Sequence, residues 1–145
     1  MLTDLIAAAA DDAAALLAAP GHATLWPTLD GRGLNKTALA ALALVLLDRP
    51  VTPASLGVAQ LGFQLLVDEG GDGPWLDRLP DALTTALAQL PGDQVVATAR
   101  AWAAVPEAGL ARWPAPELQL FLADLSAFAG SAAARGLPLL LWSCD

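Results

Sequence analysis

Apolar residues recur at helical spacing in one segment of this chain after another, and Pro and Gly fall between the segments. The first segment runs from about Thr3 to Ala19. Leu2, Leu5, Ile6, Ala9, Ala13, Leu16 and Leu17 share one stripe with Asp4, Asp11 and Asp12 opposite, Thr3 reads as the N-cap, and Pro20-Gly21 stops the helix. A loop carrying His22, Trp26, Pro27 and Asp30-Gly31-Arg32-Gly33 leads to a second helix over 35–47. Asn35 caps it, and beyond Thr37 it is apolar on every side, which predicts a central position. Thr52-Pro53 has the form of an N-cap followed by proline at the first helical position and opens a third helix through Val58, Leu61 and Leu65. Residues 63–67 read equally as its last turn or as a short extended piece.

The second half repeats the theme. Residues 81–90 put Leu83, Ala86, Leu87 and Leu90 on one face, and Pro91-Gly92 ends the helix. Asp93 then reads as the cap of a helix through Val95, Val96, Ala99 and Trp102 that breaks at Pro106. The longest helix spans 115–135, with Leu118, Phe121, Leu122, Leu125, Phe128, Ala129 and Ala132 as its stripe and Pro116, Glu117, Arg135 and Gly136 agreeing with its ends. An apolar tail, 137–142, reads as extended. The pattern as a whole predicts a mainly all-α fold, a compact bundle of about six helices in a single domain over 1–145, with at most a minor extended pairing involving 63–67, 75–79 or 137–142.

Composition narrows the setting. Hydrophobic residues make up 56% of the 145 and charged residues 15%, enough apolar surface for one core and too much for disorder. The longest apolar run, Ala38 to Leu47, is about half what a membrane span needs, and Asp4 stands where a secretory leader carries basic residues. With one cysteine, Cys144, the expectation is a reducing, cytoplasmic setting. The net charge of -8 argues against nucleic acid and anionic membranes as partners and favours a basic protein.

Candidate chemistry is sparse. Asp30-Gly31-Arg32-Gly33-Leu34-Asn35-Lys36-Thr37 looks superficially like a phosphate loop, but Asp30 and Asn35 occupy the two positions where glycine must admit phosphate, so a turn and helix cap is the better reading. Asp68, Gly70, Asp72 and Gly73 fit the opening of a calcium loop whose closing glutamate position is Leu79, so no cage closes. His22 is the only histidine and follows a helix end, where an imidazole complements the terminus. No serine stands in an elbow context, and the neighbouring acids Asp11-Asp12 and Asp68-Glu69 diverge on a helix. Catalytic residues, metal ligands and cofactors are therefore expected to be none. Of the five tryptophans, Trp75 in its acidic turn and Trp113 between prolines are the best candidates for exposure.

From Asp72 onward the chain resembles a group of small bacterial proteins with no assigned function. The residues that carry the likeness are Asp72-Gly73-Pro74-Trp75, Arg78-Leu79-Pro80, Trp102-Ala103, Phe121-Leu122 and the closing Leu141-Trp142, with Gly33-Leu34-Asn35-Lys36 added from the first half. The resemblance implies one intact domain and brings no chemistry with it.

Three functional expectations follow. The first is a non-catalytic interaction domain binding a basic protein, as toxin-neutralising immunity proteins do, through Asp68, Glu69, Asp72, Trp75, Asp77 and Trp113. The second is a small-molecule-binding or enzymatic domain whose pocket between helices uses His22 or Arg78. The third is a structural accessory subunit.

Overall fold

The computed structural model describes residues 1–145. Its first element corrects the helical reading of the N-terminal segment: Leu2–Ala7 is a strand, β1, in which Thr3 caps nothing. Leu5 and Ala7 face one layer of core while Ile6 faces another, so both sides of the strand are buried and the polar alternation of a half-exposed strand never develops. Helix starts only at α1, Ala13–Ala18, after a 3₁₀ turn over Ala10–Asp12.

The one-turn helix α2, His22–Leu25, and the short strand β2, Thr28–Asp30, follow. Then comes α3, Lys36–Leu46, where Asn35 accepts a hydrogen bond from the Ala38 amide at 2.9 Å and every residue from Ala38 to Leu44 is buried, as an all-round apolar helix requires. α4, Pro53–Leu61, opens with Thr52 and Ser55 each accepting the other's backbone N–H.

Residues 63–67 resolve as extended: β3 is Gln64–Asp68 and β4 is Trp75–Arg78. α5 is Asp81–Ala88 and α6 is Val95–Ala103. Asp93 does not cap α6; it lies in a 3₁₀ turn, Gly92–Gln94, that leads into the helix. The longest helix, α7, is Ala115–Ala134, and Gly136 beyond it takes the left-handed φ of 67° that a chain leaving a helix needs. The closing strand β5 is Leu139–Cys144.

The chain is thus mixed α/β, 52% helical and 17% strand, with seven helices and a five-stranded antiparallel sheet, which overturns the all-α bundle. The sheet order is β2-β1-β5-β4-β3. β1 and β5 lie side by side, from Leu2 opposite Cys144 to Ala7 opposite Leu139. One face of the sheet carries Leu5, Ala7, Leu139 and Leu141 into the main core with α3, α5, α6 and α7. On the other face Ile6, Leu76 and Leu140 pack under Ala13 and Leu16, the α1 region, with Trp26 and Trp142 at the margin. No helix is long and apolar enough to cross a membrane.

Candidate functional site: an acidic end of the sheet

Antiparallel pairing fixes which residues meet at each end of the sheet. At one end lie the start of β1, the end of β2, the end of β5, the start of β4 and the end of β3, because Asp4 pairs with Asp30, Leu2 with Cys144, Ser143 with Trp75, and Trp75 with Asp68. That topology gathers Asp4, Asp30, Asp68, Glu69, Asp72 and Asp145, which are distant in sequence. Asp30, Asp68, Glu69, Asp72 and Asp145 are exposed. The Asp145 amide donates to the Asp72 carbonyl at 2.8 Å, tying the β3–β4 hairpin to the end of β5. In the hairpin itself Asp68 accepts from the Gly70 amide at 2.7 Å, a local turn that leaves the carboxylate facing water.

Asp77, expected on the same surface, is elsewhere. It is fully buried on the main-core face, one step beyond the half-buried Trp75, and its Oδ1 accepts from Lys36 Nζ at 2.8 Å. Its Oδ2 has no hydrogen-bond partner, and neither has Thr3 Oγ1, also buried. Lys36, Asn35, Trp75, Asp77 and Ser143 line a recess of about 250 Å³ at this end. Trp113 also falls outside the hairpin surface. It lies half-buried against Phe121 at 5.4 Å between ring centroids, under the Arg32 guanidinium at 4.4 Å, while Arg32 reaches Glu117 at 3.2 Å.

His22 is not a complement to a helix end. Its Nε2 lies 2.7 Å from Asp4 Oδ2, and its ring rests on Trp142 with centroids 4.8 Å apart. Asp4, His22, Asp30, Arg32 and Trp142 line an open cavity of about 650 Å³. Asp4 and Asp30 stand directly opposite each other on neighbouring strands, with His22 against Asp4 and the Arg32 amide donating to Asp30. Sequence reading missed this group because His22 and Asp4 are separated by 18 residues and meet only if residues 2–7 are a strand. Arg78 is at the opposite end of β4, paired with Asp81 at 3.1 Å, so the two polar handles expected of a pocket are not brought together.

The phosphate-loop-like stretch is a turn and a helix cap: Asp30 accepts from the Arg32 amide at 2.8 Å and Asn35 caps α3. Leu79, at the closing position of the calcium-like pattern, is buried, and no cluster of three His, Cys, Asp or Glu side chains is placed to hold a metal.

Gly31 joins β2 to this site at close quarters. A Cβ there would fall 2.7 Å from Thr3 Oγ1 and 2.9 Å from the Thr3 carbonyl oxygen, and the Gly31 amide already donates to that carbonyl at 2.8 Å. Gly31→Ala is expected to push β2 off β1 and destabilise the fold by about 2 kcal/mol, read from the urea midpoint. An unchanged midpoint would show that β2 tolerates displacement. No protein-family model, curated protein or solved structure matches this chain.

Proposed function

We propose that this chain is a non-catalytic interaction domain that binds a basic protein partner through the acidic end of its sheet, in the manner of a domain that neutralises a basic toxin. The observation that carries the reading is the placement of Asp4, Asp30, Asp68, Glu69, Asp72 and Asp145 along that end, from one edge strand to the other. The nearby Lys and Arg side chains are already engaged: Lys36 with Asp77, Arg32 with Glu117 and Trp113. The outward field there is therefore negative, and such a field speeds encounter with a positive surface and excludes like-charged competitors. The cavity beside Trp142 gives a partner's Lys or Arg side chain a place to enter between Asp4 and Asp30, with an aromatic wall behind it.

The partner should be recoverable from native cells as a stoichiometric basic protein. Its association rate with the purified chain should fall about tenfold when salt rises from low to physiological strength, because the attraction acts over a Debye length. The Glu69→Lys/Asp72→Lys variant should slow association by a similar factor while leaving thermal stability unchanged, since both side chains are exposed and neither holds the hairpin turn. A complex whose on-rate ignores both salt and these substitutions would remove the acidic end from the interface.

A further inference from the structure

A second concave surface lies away from the acidic end, along α4. Ala43, Leu44 and Leu47 of the α3 segment and Val58 and Ala59 of α4 line it, with Leu83 opposite, around a volume of about 610 Å³. That volume is within the range of about 300–1,000 Å³ usual for small-molecule sites. The groove follows α4, whose nine residues extend roughly 13 Å at 1.5 Å per residue. At the C-terminal end of α4 it closes where Gly62 meets Pro80: a Cβ on Gly62 would already be 3.2 Å from the Pro80 ring. At the other end, just before α4, stands Arg49, also a lining residue.

Charge selects the occupant. The groove wall contains no Asp or Glu, and Arg49 is its single charged residue. Arg49 has no ion-pair partner, whereas the cavity at the acidic end and the recesses at Asp77, Asp48 and Asp81 each include a carboxylate. In a chain of net charge -8 this is the one sizeable concavity with positive character. A second copy of the chain would bring another -8 toward the first and is disfavoured by that repulsion. Thr52 and Ser55, the polar residues of the α4 opening, are occupied with each other and, for Ser55, with the Pro50 carbonyl, so the wall offers few other demands for hydrogen bonds.

We infer that this groove binds an unbranched aliphatic carboxylate, the chain lying along α4 against Val58 and Ala59 and the head group paired with Arg49. The guanidinium supplies two parallel N–H donors in the geometry a carboxylate accepts. The apolar wall supplies the transfer free energy of the methylenes.

Titration of the full chain with decanoate, decanol and decylammonium, followed by amide chemical shifts and calorimetry, tests the assignment. Decanoate should saturate at one per chain, shift amides of α4 and of residues 43–50, and bind more tightly than decanol. Arg49→Gln should weaken decanoate about tenfold and leave decanol unchanged. Val58→Glu, at a position 71% exposed and therefore compatible with the fold, should abolish decanoate binding and favour decylammonium. Equal affinities for decanoate and decanol, indifference to Arg49→Gln, shifts confined to the acidic end, or a dimer in sedimentation that Val58→Glu dissolves would each overturn the assignment.

Discussion

Trp102→Ala is expected to lower the unfolding free energy by about 4 kcal/mol, the range for removing a large aromatic from a core that cannot collapse around the gap. Trp102 is fully buried in the main core, and its indole N–H donates to the Ala38 carbonyl at 2.8 Å. The side chain therefore joins α6 to the first turn of α3 by a polar contact as well as by packing. Against a typical domain stability of about 5–15 kcal/mol, such a loss threatens folding at growth temperature. Trp102→Phe separates the two contributions. It keeps most of the apolar surface and removes the donor, so it should cost about 1–2 kcal/mol more than its lost volume alone suggests. Urea unfolding followed by circular dichroism measures both. An alanine variant within 1 kcal/mol of the parent would show that neighbouring α7 side chains fill the space.

The second large effect concerns Lys36 and Asp77, and its sign differs between the partners. The Asp77 side chain is 1% exposed and has one hydrogen-bonded oxygen, while Lys36 is 36% exposed. Removing the lysine strands a carboxylate in the core, so Lys36→Met should cost about 3 kcal/mol, in the range for breaking a buried pair from one side. Removing the acid leaves an ammonium that can turn to water, so Asp77→Leu should cost less than half as much. The double variant should recover most of the Lys36→Met loss, because two apolar groups of similar size require no partner. The measurement is a double-mutant cycle in urea. Additive losses would mean that the two side chains do not depend on each other.

These two residues also show what the sequence makes legible. Trp102 is on the stripe that α6 presents to the core, and a fully buried aromatic at helical spacing is what the pattern predicts. The caps of α3 and α4, Asn35 and Thr52, are equally plain, because a cap is a local arrangement of neighbours. Asp77 was not legible as a core residue. A lone acid beside Trp75 and Arg78 reads as surface until the chain brings Lys36, 41 residues earlier, to its oxygen.

The sheet was hidden for a related reason. Leu139, Leu140 and Leu141 are all buried, since the two sides of β5 face two different cores, and a run of uniform hydrophobicity carries no period to distinguish strand from helix. In β1 the neighbouring apolar residues Leu5 and Ile6 fitted a helical stripe as well as a doubly buried strand. The candidate surface divides along the same line. Asp68, Glu69 and Asp72 belong to one hairpin and could be grouped by inspection, but Asp4, Asp30 and Asp145 join them only through strand order, and His22 only through Asp4.

The pairing of β1 with β5 bears on how the molecule acquires its shape during synthesis. Residues 2–7 are synthesised well before their central neighbour, residues 139–144, which is translated only after all the intervening chain. Until then Leu5 and Ile6 have only the three-residue β2 beside them, so the nascent chain carries an adhesive, incomplete ribbon while residues 31–138 are made. Closure over so large a sequence separation carries a loop-entropy cost before any contact rewards it, and maturation should be limited by this late zipping rather than by the helices that precede it.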